Sequence, residues 1–435
     1  MSKFAKPNRP CGAGTKPPFS LKTLPSRAQQ RKLGHDMNTI KALTFDTNQD
    51  NWEQSTGFVM REVPMPTLDE AANPADALSV ILKIRYAGFC GSDRGIWYRN
   101  AFHDMLHETL EQSGATTRVL GHEFVGEIVE AGSMVETLYS DPDPANPAKV
   151  KVGALVSGDS HVTCGKCYQC RIGEANVCIN DAILGIGING IFAEYVKVPA
   201  KNLWPIDESR IRPEVAAILD PFGNAVHAVT KIDVRGQRVA VLGAGPIGLF
   251  AILLLKNFGA AKIIAVDVNP ENLAMAKELG AHEIIQIETK DKANSWEHDA
   301  EVVDQVMKLT YGKGVDVAME MAGPASSLNN ALEVTRRGGE VVLFGLKDGD
   351  FTIPKFSRFI VKGLTVRGII GREIFKTWQT SQRILSDKSN GIQDKIWNVI
   401  LKEGKGTIVD FASYDQDEFE KTLNTHPKVV FKING

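Results

Sequence analysis

Six cysteines in 435 residues are too few to build a fold on disulfides, and the charges are too evenly matched to make a field. Fifty Lys and Arg face 52 Asp and Glu, a net charge of −2. A chain so balanced has no pull on nucleic acid or on an anionic membrane surface, and neither is expected as a partner. Long apolar runs are scarce as well. The longest uncharged stretch, "VAVLGAGPIGLFAILLL" from Val239 to Leu255, only reaches the roughly 17 residues that a membrane span needs. Gly243, Gly245, Pro246 and Gly248 would break a spanning helix near its start and instead suit a buried strand, a tight turn and a helix. The first 36 residues have no apolar core of the kind a secretory signal carries. They set Lys3, Lys6, Arg9, Lys16, Lys22, Arg27, Arg31 and Lys32 against Asp36 alone. They read as a disordered or non-native basic leader rather than a targeting sequence, ahead of a fresh start at "MNTIKALTFD". The expected location is the cytoplasm, where disulfides are rare.

What is present falls into stretches of different texture. A chain of 435 residues exceeds the size at which single cores stop growing, so two domains are expected. Residues 37–213 are short apolar runs cut by Gly and Pro, such as "SVILKIRYAGFC" and "LGHEFVGEIVEAG", the mark of a many-stranded β region. Residues 214–365 alternate strand and helix patterns in a βαβ rhythm, which predicts an α/β, doubly wound parallel sheet. Within it, Asn269 as cap, Pro270 at the first position and Gly280 as stop predict one helix sharply. Residues 366–435 mix a strand, "GLTVRGIIG", with helices and a closing "KVVFKING", and are expected to return to the first domain. "FHDMLHETLEQSGATTR" and "SDPDPANPAK" read as surface insertions.

Cys164, Cys167, Cys170 and Cys178 are spaced C-x2-C-x2-C-x7-C, close enough for one ion to gather all four. A tetrahedral set of four thiolates is a closed, structural zinc site. A ferredoxin-type cluster would place the fourth cysteine after three residues and follow it with proline, which fails here. Chemistry therefore needs other ligands, because a catalytic zinc keeps three protein donors and an open position. Cys11 lies in the leader, which leaves Cys90 in "GFCGSDRG"; His122 in "VLGHEFVGEI", with Glu123 beside it, and Asp220 in "AAILDPFGNAVHAV" are the further candidates. Taken singly each is more often a satisfied core residue than a ligand.

The nucleotide signal is independent. Gly243, Gly245, Pro246, Ile247 and Gly248 fit G-x-G-x-x-G after the strand "RVAVL" and open a helix, so the backbone can approach a pyrophosphate at the helix N-terminus. Asp267 ends "IIAVDV" about 20 residues later, where a carboxylate accepts hydrogen bonds from a ribose 2′-OH and repels a 2′-phosphate. That spacing favours NAD over NADP. Gly345, in "EVVLFGL", is grouped with this cofactor site.

"GHEFVGEIVEAG", "CGKCYQCRIGEANVC", "GIFAEYVKVPA", "LDPFGNAVHAV", "GAGPIGLFA" and "GREIFKTW" together resemble the zinc-containing medium-chain alcohol and polyol dehydrogenases, within them the L-threonine 3-dehydrogenase branch. The likeness runs from about residue 38 to the C-terminus. It implies a GroES-like β-rich catalytic domain plus a Rossmann domain, homotetramers or homodimers, NAD, one catalytic and one structural zinc, and a small-molecule alcohol substrate. By position it implies that Cys90, His122 and Glu123 ligate or flank the catalytic zinc, with Asp220 the further carboxylate. Asp93 would orient the zinc-bound imidazole, and Ser92 would receive the substrate proton. One position departs from the family pattern: Gly95 stands where a relay histidine is usual, so His103 or His107, or water, would take the proton onward. Polyol, glucose and other alcohol dehydrogenation are the alternatives, and a non-catalytic zinc- and NAD-binding protein the remote one.

Overall fold

The computed structural model describes residues 38–139, 149–288, 294–346 and 349–435. The basic leader and most of "SDPDPANPAK" lie outside the described residues. From Thr39 onward the chain forms one compact unit, organised around two large sheets and a three-stranded one.

The first large sheet runs, edge to edge, Leu203–Pro205, Leu155–Gly158, Glu123–Ala131, Ser79–Phe89, Val429–Lys432 and Ile408–Asp410, with Tyr195–Pro199 also paired to Ser79–Phe89. Its central pair is antiparallel, and its register sets Gly88 opposite Glu123. The second is a six-stranded parallel sheet, ordered Glu283–Gln286, Lys262–Asp267, Arg238–Leu242, Val315–Glu320, Thr335–Leu343, Thr365–Gly368. Numbered along the chain that order is 3-2-1-4-5-6, the doubly wound arrangement whose ligands bind beyond the carboxyl ends of the strands. The run from Val239 to Leu255 divides into the strand Arg238–Leu242 and the helix Pro246–Asn257, both buried in this layer. No helix of the described residues is long and apolar enough to cross a membrane. The helix Pro270–Leu279 begins and ends as its sequence demands. The Asn269 side chain accepts from the backbone of Glu271 and Asn272, and Gly280 stops it at φ +123°.

The expected return of residues 366–435 to the first domain holds for the last part of that segment, where Phe411, Phe419 and Phe431 enter the core of the first sheet, and is corrected for the earlier part. Thr365–Gly368 is the sixth parallel strand, and Trp378, Leu385, Ile392, Ile396 and Ile400 share a core with Leu249–Leu255 and Leu273–Leu279. Only Ile408–Asp410 and Val429–Lys432 join the first sheet. A strand pattern states that one face is buried but not against what, so the partner sheet was not legible.

Candidate active site and metal centres

The central strand pair of the first sheet builds the site. Ser79–Phe89 ends at Cys90, which opens the short helix Gly91–Trp97, while His122 immediately precedes Glu123–Ala131. Because Gly88 pairs with Glu123, the strand end carrying Cys90 lies beside His122. Gly88 is also what gives the glutamate room: a Cβ there would fall 2.2 Å from Glu123 Oε2. Donor atoms of Cys90, His122 and Glu123 consequently lie within 4.8 Å of one another. Ser92 Oγ is 3.2 Å from His122 Nε2. Asp93 accepts from the Cys90 backbone at 2.9 Å with one oxygen and stands 3.4 Å from His122 Nδ1 with the other.

The electrostatics favour a cation. Burial works against a charged His122, yet Asp93 and Cys90 lift its pKa well above the ordinary value. Burial also raises the carboxyl of Glu123, opposed by Lys428 and His122 and reinforced by Asp220. Glu123 Oε1, His122 Nδ1 and Asp93 Oδ1 are buried without a good hydrogen-bond partner among the described residues. His122 Nδ1 and Asp93 Oδ1 face each other at 3.4 Å, which leaves Glu123 Oε1 without any partner among the described residues. Buried polar atoms are normally bonded, so a free carboxylate oxygen beside a Cys and a His fits a metal ion. The donor set of one sulfur, one nitrogen and one oxygen with a fourth position free fits zinc in its open form.

Asp220 does not join these three. Its Oδ1 is taken by Arg372 at 2.7 Å, and its Oδ2 is a further buried orphan. Arg372, 3% exposed, spends its five donors on Asp159 twice (3.0 and 2.8 Å), Ser160 (3.1 Å), Asp220 (2.7 Å) and Asn224 (2.9 Å). It therefore clamps the turn after Leu155–Gly158 to the helix Leu219–Thr230. Lys428, buried beside the site, bonds Glu123 Oε2 and donates to the Phe89 carbonyl at 3.0 Å. Sequence reasoning missed both cations. Arg372 stood inside the quoted "GREIFKTW", and Lys428 opened the apolar "KVVF", where a charge entering a buried strand was the available signal.

The relay question has a steric answer. A Cβ on Gly95 would lie 2.8 Å from Ala101 Cβ, so the turn after Gly91–Trp97 occupies the place of a side chain. His103 and His107 sit on the helix His103–Ser113, stacked on each other and edge-on to Trp52. Neither is a hydrogen-bond partner of Ser92, whose Oγ meets His122.

Cys164, Cys167, Cys170 and Cys178 form the other cluster, with Sγ atoms within 4.8 Å of one another. The Cys178–Cys164 and Cys167–Cys178 separations are 3.5 and 3.8 Å, against the ~3.8 Å that tetrahedral geometry requires at a Zn–S distance of about 2.3 Å. Backbone N–H groups of Lys166 and Cys167 lower Cys164 to about 6, whereas burial and neighbouring thiols push Cys170 up to about 12. Thiols so unequal become four thiolates together only around a cation.

The nucleotide residues gather at the carboxyl ends of the parallel strands. Gly243 has φ +102°, and a Cβ on Gly248 would meet the Gly243 carbonyl at 1.9 Å, so the turn is closed to other residues; at Gly245 the approach is open, with nothing within 4 Å. Pro246 starts the helix and Ile247 follows it. Asp267 ends the neighbouring strand, accepting from the backbone of Ala244 at 2.5 Å and Asn269 at 2.7 Å. A free N-terminus with a carboxylate at the next strand end fits a dinucleotide. Gly345 is crowded from within the protein: a Cβ there would lie 2.3 Å from Gly323 N and 2.6 Å from Glu320 Oε2. Glu320, absent from the sequence reading, accepts from Ala322 N, Gly323 N and Ser327 Oγ at 2.7–2.9 Å and so shapes the wall facing Gly243. The helix Leu219–Thr230 links the two regions, with Asp220 near Glu123 and Phe222 edge-on to Phe250 of Pro246–Asn257.

Comparison with known proteins agrees with this geometry. Residues 76–208 match the alcohol dehydrogenase GroES-like domain, and residues 246–387 match the zinc-binding dehydrogenase family. An L-threonine 3-dehydrogenase of Caldanaerobacter subterraneus subsp. tengcongensis is 36% identical over 333 residues, covering 77% of this chain and 85% of that one. An alcohol dehydrogenase from Thermus sp. ATN1 superposes with a TM-score of 0.70 at 26% identity, covering 91% of this chain and all of the other. A 2R,3R-butanediol dehydrogenase from Bacillus subtilis does so with 0.69 at 25%, again over 91% of this chain and all of the other. The chain belongs to the zinc-containing medium-chain dehydrogenases.

Proposed function

We propose that the chain oxidises a secondary alcohol with NAD as the hydride acceptor, L-threonine being the leading substrate. The observation that carries this reading is the convergence of Cys90, His122 and Glu123 on one buried point with an unpartnered carboxylate oxygen. The likeness to L-threonine 3-dehydrogenases supports the substrate. When bound, zinc supplies a Lewis acid that stabilises an alkoxide, and NAD supplies the place for the hydride. Cys90, His122 and Glu123 hold the ion in this reading. Asp93 orients the His122 imidazole, and Lys428 keeps the second oxygen of Glu123 turned away. Ser92 Oγ takes the proton from the substrate hydroxyl. With no room for a side chain at Gly95 and Ser92 only part-buried, that proton passes to solvent. Asp267 excludes a 2′-phosphate by charge, while Gly243, Gly245 and Gly248 let the backbone reach the pyrophosphate.

A diol or polyol is the second reading, favoured by the likeness to a butanediol dehydrogenase and by the glycine at position 95. NADH formation measured with L-threonine, sorbitol, glucose and 2-butanol separates these readings, and Cys90→Ser should abolish it in each case. Metal content tests the remote non-catalytic reading: about two zinc per chain supports the enzyme, about one the structural cluster alone. A homodimer or homotetramer is also proposed. Thr365–Gly368 is an exposed edge strand, flanked by Ile360 and Val361 at 65% and 64% exposure, the kind of edge that a second copy covers. The need to keep four thiols reduced supports a cytoplasmic setting.

A further inference from the structure

The helix His103–Ser113 takes no part in the reaction described above, yet it carries two imidazoles one turn apart. Residues four apart share a helix face, and the rings of His103 and His107 stack with centroids 4.1 Å apart and planes inclined by 28°. Each ring commits its Nδ1 to an acceptor. His103 meets Oδ1 of Asp104 at 2.8 Å, and His107 meets the backbone carbonyl of His103 at 2.9 Å. An acceptor there demands the proton on Nδ1, so a neutral ring carries its lone pair on Nε2. Neither Nε2 has a hydrogen-bond partner among the described residues. An imidazole whose far nitrogen donates to a carboxylate or a carbonyl is the arrangement found behind metal-bound histidines. The rings are also held in place. Trp52 stands edge-on to both, at 5.1 and 5.5 Å, and the helix is pinned beneath them by the buried Leu106 and Leu110.

We propose that His103 and His107 form a bidentate surface site for a divalent transition metal, separate from the Cys90 cluster and from the four thiols. Imidazole nitrogen suits Ni²⁺, Cu²⁺ and Zn²⁺, whereas Mg²⁺ and Ca²⁺ take oxygen ligands. The remaining coordination positions face solvent, since His103 is exposed, and are open to water or an external ligand.

Calorimetric titration of the protein as purified with Ni²⁺ alone tests the site. One saturable equivalent is expected, with none for Mg²⁺ under the same conditions. His103→Gln and His107→Gln each remove a ligand. Asp104→Asn keeps both ligands and weakens only the support, and even such outer partners are worth on the order of tenfold in affinity. All three variants should therefore bind Ni²⁺ at least about tenfold more weakly, with melting curves that match the parent protein. Absence of a saturable equivalent overturns the proposal. So does native affinity in both histidine variants, which would place the ion elsewhere.

Discussion

Replacing Lys428 by Met removes the cation bonded to Glu123 while keeping a stem of similar length, so the packing of the lysine methylenes is largely preserved. The side chains of Lys428 and Glu123 are 1% and 0% exposed. Breaking a buried pair from one side leaves an uncompensated charge, which costs about 3–5 kcal/mol. Protonation sets a ceiling on that cost. With an unfolded glutamate pKa of about 4.3, holding the neutral form costs about 5 kcal/mol at pH 8 and only about 1 kcal/mol at pH 5. Burial already raises Glu123 against the opposition of Lys428, and losing Lys428 raises it further. A carboxyl raised on folding binds more protons in the native state than in the unfolded one, so stability rises as pH falls between the unfolded and folded pKa values. Urea unfolding of the two proteins, both stripped of metal so that no ion offsets the Glu123 charge and at equal concentration, should therefore show a deficit of about 3–5 kcal/mol at pH 8 that shrinks to about 1 kcal/mol at pH 5. Adding Glu123→Gln should recover most of the loss, since the stranded charge is then gone. A deficit below about 1 kcal/mol at pH 8, or one that ignores pH, would refute the argument.

Cys170→Ser should release about one zinc per chain and lower the unfolding midpoint, because a structural metal contributes folding free energy; an unchanged melt with full zinc would mean that the cluster holds no metal. Asp267→Ala should raise the KM for NAD and shift the NAD/NADP ratio toward NADP. It also frees the Ala244 and Asn269 backbone groups, so an unaltered ratio would count against the ribose role even if the KM rises. Burial raises the Asp316 carboxyl, but bonds from Arg238 at 3.0 Å and Arg336 at 2.6 Å outweigh it and hold the group well below the usual range. A lowered carboxyl stabilises the fold above its unfolded pKa and loses that contribution as pH falls through the folded one. Asp316→Asn should thus cost on the order of 2 kcal/mol from pH 8 to 5, with the gap closing only below about pH 4.

Much was legible in the chain itself, because several of its constraints are local. Asn269, Pro270 and Gly280 cap and stop their helix through their own side-chain and backbone chemistry. The four cysteines within fifteen positions can meet without help from distant chain, and the glycine turn from Gly243 to Gly248 follows from what lacks a Cβ. Asp267 was placed by its distance along a βαβ unit. Tertiary structure alone decided the rest. Arg372 meets Asp220 from 152 positions away, and Lys428 meets Glu123 from 305. No periodicity or spacing encodes such pairs, since a buried charge finds its partner only when segments far apart in the chain are packed together. The same limit separated Asp220 from Cys90 and His122 and moved Thr365–Gly368 to the other sheet. Sequence specifies which groups can bind, turn or cap, and only packing assigns each one its neighbour.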